Sequence, residues 1–595
     1  MAETLISPGI SLAEVDQSAI APRPLVAGAA ILGPTVKGKV NVPTKVTSYA
    51  QFKQIFGEIF TYTPNGSSVP QTQEFLTSLA ARNFFEQGGD SLLVTRVAPK
   101  NVFGAATSTA VVPSGSVSAP FQLVTLSPGA MMNNASGSTW DTSSYEREDG
   151  SLVSGSSDNI RWIIDSVDES KGTFSLTIRR GDDTDKEQIV LESFMGLSLD
   201  PMNPNFISKV IGDQDMYCEP GTDGAAATIQ FTGNYPNMSK YVRVANVKPV
   251  VNYLDTEGNV RTIDGVIASA YLPKAQRGGF YGGTGIVGTC YSNGSVDASG
   301  SAYFFGDMVV STDPHDYNQS VHYNDYEDAL SLMRNADEYQ INIISAPGYF
   351  GASNLTAVAE DRTDCIAVVD LNAKNTSVPV VAATAASAVN SSYAATYWPW
   401  LQMISATGRY EWCPASTVIP GVYTYNDHQA APWYAPAGMT RGGVQGVLQT
   451  SRKLTKGDRD TLYNKNVNPI ATMPGAGIVV YGQKTLQKKA SALDRVNVRR
   501  LLIEVKDTIR TMASSLLFEQ NTTALQNEFK AKVDPYLASV VQRKGLVAYA
   551  IDLSENTPDT IDRNEFRCGI KLQPTKTIEF IYLTFTVTAT GVSFD

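Results

Sequence analysis

Residues 325–370 read DYEDALSLMRNADEYQINIISAPGYFGASNLTAVAEDRTDCIAVVD. DYEDALSLMRN has the apolar spacing of a helix. INIISAPG and DCIAVVD are short apolar runs bounded by turn residues, the pattern of strands buried on both faces of a parallel sheet. The same grammar holds upstream. Tyr49 to Phe56 reads as a helix, and Gln71 to Gln87 as another with Phe75, Leu76, Leu79, Ala80 and Phe84 on one stripe. Gly88-Gly89 ends that helix, and Ser91 to Val97 reads as a strand, so an α/β layer is expected. Downstream, a helix is predicted over about Asn497 to Glu519, with Val498, Leu501, Leu502, Val505, Ile509, Met512, Leu516 and Leu517 on its stripe. A second, Thr523 to Gln542, is expected to be interrupted by Pro535. Strands follow at Leu546 to Asp552, Gly569 to Gln573 and Thr577 to Val587.

Two other regions differ in character. From about residue 101 to 309 Ser, Thr, Gly and Asn dominate, and strand-like runs recur at Phe121 to Leu126, Ile160 to Asp165, Phe174 to Arg179 and Ile189 to Leu191. That reads as one or two β-rich insert domains. The opening SPGISLAEVD alternates Ile10, Leu12 and Glu14 against Ser11, Ala13 and Val15, and Pro8-Gly9 and Pro22/Pro24 isolate it as an extended arm. The last strand alternates Ile581, Leu583, Phe585 and Val587 against Tyr582, Thr584 and Thr586. A lone strand cannot hold itself in water and must join some sheet. The expected fold is therefore α/β and α+β, multidomain. Its parts are an arm at 1–20, a central α/β domain at 21–100 and 310–480, a β-rich insert at 101–309, and a C-terminal α+β domain at 481–595.

Composition narrows the function. The 595 residues carry 47 basic and 58 acidic side chains, a net charge of −11, with 43% apolar and 18% charged residues. This suits several buried cores and argues against a nucleic-acid coat. No apolar run approaches the 18 residues of a membrane span, and MAETLISPGI lacks the marks of a secretory signal. The expectation is a soluble chain assembled in a cytoplasm. Cys218, Cys290, Cys365, Cys413 and Cys568 form no CxxC pair, so neither a disulfide framework nor a zinc ribbon is expected. Three histidines, His315, His322 and His428, offer little for catalysis or metal ligation.

The near-motifs for chemistry each lack a part. Gly33-Pro-Thr-Val-Lys-Gly-Lys39-Val40 approaches a phosphate-binding P-loop, but Val40 has no hydroxyl for magnesium and Pro34 removes a backbone donor. Gly283-Thr-Gly285-Ile-Val-Gly288 fits GxGxxG without strand–loop–helix context. Asp361, Asp364 and Asp370 flank a strand and could be imagined as paired carboxylates. Asp427-His428 could be half of a triad, with no activated Ser or Cys to complete it. An α/β enzyme, a hydrolase or nucleotide-dependent protein, is thus the alternative reading, while the favoured one has no catalytic residue, cofactor or metal.

Charge is unevenly placed. Residues 481–595 hold 16 basic and 13 acidic side chains, net +3; residues 1–480 hold 31 and 45, net −14. Lys488, Lys489, Arg495, Arg499 and Arg500 lie in the most basic stretch. They are either a solvated helix face or a positive patch for an acidic protein partner.

These segments together resemble the tail sheath proteins of contractile bacteriophages and their kin in contractile bacteriocins and injection systems. The likeness runs through SPGISLAEVD, GPTVKGKVNVP, FFEQGGDSLLVTRV, SPGAMMNN and ESFMGLSLDPMNPNFISKVIGD. It continues with INIISAPG, DCIAVVD, SSYAATYWPWLQ, APAGMTRGGVQG, PGAGIVVYGQKTL and NVRRLLIEVKDTIRTMASSLLFEQN. The resemblance implies a structural homo-oligomer: stacked, hexameric rings forming a helical sleeve around an inner tail tube. It implies baseplate and tail terminator proteins as partners, with no direct nucleic acid and no membrane insertion. Contraction without ATP would drive the tube through a cell envelope. The insert would face outward, the terminal arms would exchange strands with neighbours, and the basic stretch would face the tube. The protein would sit in the virion, in the tail sheath, after assembly in the host cytoplasm.

Overall fold

A computed structural model describes residues 25–62, 69–99, 102–221, 226–263, 265–287, 289–291, 302–304, 319 and 321–579. The predicted arm bearing Ile10, Leu12 and Glu14 lies outside these residues, as does the part of the last predicted strand bearing Ile581, Leu583, Phe585 and Val587.

The architecture is mixed α/β, organised by one eight-stranded sheet. Its strands are β1 (Ala29–Gly33), β2 (Thr44–Val46), β3 (Leu92–Arg96), β4 (Ile343–Ser345), β5 (Ile366–Val369), β6 (Ala394–Trp398), β7 (Val467–Met473) and β8 (Gly477–Val480). They lie in the order β8-β7-β6-β5-β4-β1-β3-β2. The six inner strands are parallel, and β2 and β8 close the two edges antiparallel. Because successive side chains in a strand point to opposite faces, β1, β3, β4 and β5 each feed two cores. Ala29, Ile31, Leu92, Val94, Ile343, Ile366 and Val368 face a cluster with Phe52, Phe56, Leu79, Phe84, Ile419 and Tyr423. Ala30, Leu32, Leu93, Ile344, Ala367 and Val369 face Tyr326, Leu330, Met333, Leu355 and Val358. Helices therefore cover both faces: α1 (Tyr49–Phe56), α2 (Leu76–Glu86) and Ile419–Gln429 on one, Tyr326–Met333 and Ala352–Arg362 on the other.

The structure corrects three sequence expectations. The helix predicted from Gln71 begins at Leu76, because Gln71–Glu74 is a strand paired antiparallel with Ile59–Tyr62. The helix Thr523–Gln542 runs through Pro535 without a break. The long helix before it ends at Ser514, short of Glu519. The Gly88-Gly89 stop holds. Gly88 takes φ +92°, and a Cβ on Gly89 would fall 2.2 Å from the Phe84 ring, so glycine is required for the chain to turn tightly over that ring.

Between β3 and β4 the chain makes two four-stranded antiparallel sheets. One orders Val190–Ser198, Thr173–Arg180, Ile160–Asp168 and Gln276–Gly278; the other Val242–Ala245, Gln122–Pro128, Ala105–Ser108 and Phe280–Tyr281. Trp162, Ile164, Leu176 and Ile178 of the first share one core with Leu123, Val242, Val244 and Phe280 of the second. The chain passes from one sheet to the other at Gly278-Gly279, where Cβ atoms would collide with Trp162 and Asn134. No helix among the described residues is long and apolar enough to cross a membrane.

Phe84 is 1% exposed at the centre of the first core. Phe84→Ala is expected to cost about 3–5 kcal/mol of stability, read as a lower urea midpoint at unchanged slope.

Candidate functional site at the C-terminal helices

Helix α3 (Val496–Ser514) follows the central sheet directly and is amphipathic at helical spacing. Val496 and Ile503 sit in the first sheet core. Leu501 and Val505 sit in a separate cluster with Trp433, Phe529, Val533, Leu537 and Val540. One helix thus belongs to two cores and joins the C-terminal unit to the sheet without a hinge.

The five predicted cations, on this helix and in the segment just before it, split into three environments. Arg500 is 3% exposed; its guanidinium grips both carboxylate oxygens of Asp427, Nη1 to Oδ1 at 2.8 Å, and lies over the Tyr423 ring. Burial pushes the Arg500 pKa down, but Asp427 outweighs it and the net shift is upward. Arg499 is also buried, stacked 4.0 Å over the Tyr393 ring and bonded to Ser392, and burial lowers its pKa. These two hold the helix to the fold and offer no charge to a partner. Lys488 and Lys489 are exposed, Lys488 reaching the Ala388 carbonyl at 3.0 Å. Arg495, half-buried, does something else. Its Nε and Nη2 donate to Glu579 at 2.7 and 3.0 Å while Nη1 meets Asp494 at 3.0 Å. The five residues predicted as one basic patch are therefore not brought together as one exposed surface.

Glu579 ends the described chain in a closed polar cradle. Besides Arg495 it accepts from the Tyr463 hydroxyl at 2.6 Å and from Gln483 Nε2 at 3.1 Å; Gln483 also donates to Thr577 at 2.6 Å. Burial pushes the Glu579 carboxyl up, but its hydrogen bonds to Arg495, Tyr463 and Gln483 prevail and hold it below its ordinary value of 4.5. This clamp ties Glu579 to the body, and only its Arg495 was singled out from sequence. Tyr463, Gln483 and Glu579 lie too far apart in the chain for spacing to reveal them.

The enzymatic near-motifs are absorbed by structure. In the P-loop look-alike, Lys37 N donates to Phe56 O and Gly38 N to Ser127 Oγ, both at 2.9 Å, so the donors that would cradle a phosphate are committed. No helix opens after it; the chain continues to β2. In the glycine-rich run, Gly283 N is bound by Asn133 at 2.8 Å and Thr284 N by Gly104. Asp364 is held by Arg362 at 2.8 Å and Asp361 lies 3.5 Å from Arg334. Asp370 is buried against Ser416 and the Gly348 N–H; burial raises its carboxyl to about 6 against those bonds. Asp427 serves Arg500, while His428 stands 3.8 Å from Asp90. Among the described residues no group of His, Cys, Asp and Glu could hold a metal ion.

Comparison with known proteins agrees with the resemblance seen in the motifs. Residues 320–486 match the phage tail sheath protein central domain, and residues 488–588 match the phage tail sheath C-terminal domain. The two matches are consecutive and together span less than half of the chain. Over 188 residues, 31% of the chain, it is 38% identical to the tail sheath protein of Vibrio phage KVP40, covering 28% of that protein. Over 186 residues, again 31% of the chain, it is 36% identical to the tail sheath protein of Enterobacteria phage T4, also covering 28%. The chain therefore matches less than a third of the length of these curated relatives. The sheath tail protein of Listeria innocua shares the fold at 10% identity, with a TM-score of 0.50 over 93% of this chain and 96% of that one.

Two outcomes are expected. Arg500→Ala would strand Asp427 without its partner and cost about 3 kcal/mol in chemical denaturation. Because the Glu579 pKa is depressed in the folded state, its contribution is present above 4.5 and lost as pH falls through the folded value. Protease release of the C-terminal segment should rise over that acid range in the wild type, whereas Glu579→Gln should release it already at neutral pH.

Proposed function

We propose that this protein is the structural subunit of a contractile tail sheath. Copies polymerise as stacked hexameric rings around an inner tail tube, bounded by baseplate and tail terminator proteins. The polymer contracts without ATP to drive the tube through the target cell envelope. The observation that carries this reading is the pair of consecutive matches to tail sheath domains, at residues 320–486 and 488–588. Its place is the tail of a virion, after assembly in the host cytoplasm. It has no catalytic residue, no cofactor and no direct contact with nucleic acid, and it is not inserted in a membrane.

The proposed mechanism uses parts already described. Because α3 is shared between two cores, the central sheet and the C-terminal unit rotate as one body. The arms, with Ile10, Leu12 and Glu14 at one end and Ile581, Leu583, Phe585 and Val587 at the other, add strands to neighbours' sheets and keep rings linked while bodies turn. The clamp on Glu579 sets the exit direction of the C-terminal arm. The extended sleeve is a kinetically trapped state above the contracted one; about 1 kcal/mol per subunit, the scale of one modest interface change, sums over a long sleeve to considerable work. The β-rich region faces outward. The tube-facing cations are Lys488 and Lys489, because Arg495 is committed to Glu579 and Asp494 and because Arg499 and Arg500 are spent inside the fold.

Purified protein should form hollow sleeves in electron micrographs, and removal of residues 577–595 should leave folded, non-polymerising subunits. Regular sleeves from that truncation would defeat the strand-exchange account. Lys488→Glu with Lys489→Glu should leave sleeves intact but abolish their co-assembly with the tube; unchanged co-assembly would remove these lysines from the tube contact.

A further inference from the structure

A cleft of about 800 Å3 opens where the loop after β1 and helix α1 meet the β-rich sheets, in the size range of well-formed binding sites. Its charge is opposite to that of the molecule. Lys37, Lys39, Lys53, Arg180 and Lys240 line it against Glu58 and Asp158, net +3 in a chain of net −11. Three of these cations are neutralised within the chain: Lys37 by Asp158 at 3.0 Å, Lys53 by Glu58 at 3.7 Å and Arg180 by Asp182 at 2.5 Å. Two are not. The Lys39 ammonium has Met216 Sδ at 3.8 Å as its partner and, among the described residues, no carboxylate; burial lowers its pKa. Lys240 forms no ion pair among the described residues.

A third uncompensated cation lies under the floor. Arg96 is 1% exposed. Its Nη1 donates to the carbonyls of Gly38, which lines the cleft, at 2.7 Å and of Pro128 at 3.1 Å; Phe103 covers it, and no carboxylate among the described residues reaches it. Burial lowers its pKa to about 9, which leaves it charged at neutral pH. Buried charge without a counterion is unfavourable, and low-dielectric walls focus its field into the open space above.

We infer that this cleft docks an acidic segment of a neighbouring copy of the same chain. The occupant follows from charge complementarity: residues 1–480 carry net −14, and the exposed acidic loop at Glu148-Asp149 stands on the β-rich region. Like-charged bodies repel, so a stable lateral contact between copies has to place acid against a local cationic site. The inference rests on self-assembly as proposed above, and it adds a salt-sensitive contact separate from strand exchange and from the tube-facing lysines.

The test uses full-length protein. Lys39→Met and the double variant Lys39→Glu, Lys240→Glu should remain folded subunits by circular dichroism and thermal melting. They should require a roughly tenfold higher protein concentration to form sleeves, the scale of a lost charge contact. Assembly at the wild-type concentration, with wild-type salt dependence, overturns the inference. A photocrosslinking benzoylphenylalanine placed at Ile59, which lines the cleft, gives a readout that needs no charge change. In concentrated wild-type protein it should capture an acidic peptide of a second copy. Absence of any intermolecular adduct, or adducts only to non-acidic peptides or to tube protein, overturns it as well. If wild-type protein forms no sleeves at all, the sheath reading fails, and the crosslink alone decides the cleft.

Discussion

The parallel sheet must be covered on both faces, and most of the structure answers to that requirement. Antiparallel sheets can leave one face to water, whereas a parallel one is apolar on both and needs helices on each side. Here the alternation Ala29/Ile31 against Ala30/Leu32 repeats in β3, β4 and β5, so each of these strands commits to two cores at once. The covering helices come from stretches far apart in the chain. The β-rich excursion leaves after β3 and returns before β4, because those two strands are held on either side of β1.

The second constraint is electrostatic. Where cations enter the interior they are handled in two ways. Arg500 has a dedicated carboxylate and an aromatic face, and Arg499 a hydroxyl and a ring; both fasten α3 to what it packs on. Among the described residues Arg96 and Lys39 have carbonyl, sulfur and aromatic neighbours but no counter-charge. The first arrangement is closed and stabilises a subunit. The second leaves a positive field directed outward, which is how a surface comes to prefer one partner over another.

Much of this was legible in the sequence, for physical reasons that differ by element. Helices at Tyr49–Phe56 and, apart from the break expected at Pro535, Thr523–Gln542, and strands at Ile366–Val369 and Leu546–Asp552 carry their own periodicity, so local reading found their bounds. The strand Gln71–Glu74 did not, since a polar QTQE run has no apolar alternation and exists because Ile59–Tyr62 is there to pair with it. Strand β7 contains Pro469, normally an argument against an inner strand. The proline is tolerated because pairing to β6 ends at it and pairing to β8 begins one residue later. The fate of the basic stretch was hidden for a related reason. Charge can be counted along a chain, but Asp427, which neutralises Arg500, lies 73 residues away. The same holds for the clamp on Glu579, whose parts meet only after the fold has formed.

The position of β1 beside β4 also sets a clock for biosynthesis. Ala30 pairs with Ile344, so roughly 300 residues must leave the ribosome before the middle of the sheet can close. At common elongation rates that is roughly 15–60 s. During this interval β1 and β3 can pair with each other, but one apolar edge of β1 stays open. The β-rich region is synthesised within the wait and has a core of its own. By condensing early it would shorten the loose chain spanning the gap, lowering the entropy lost when β4 arrives. A region read first as an outward decoration would then be, during synthesis, a spacer that brings the two halves of the sheet within reach.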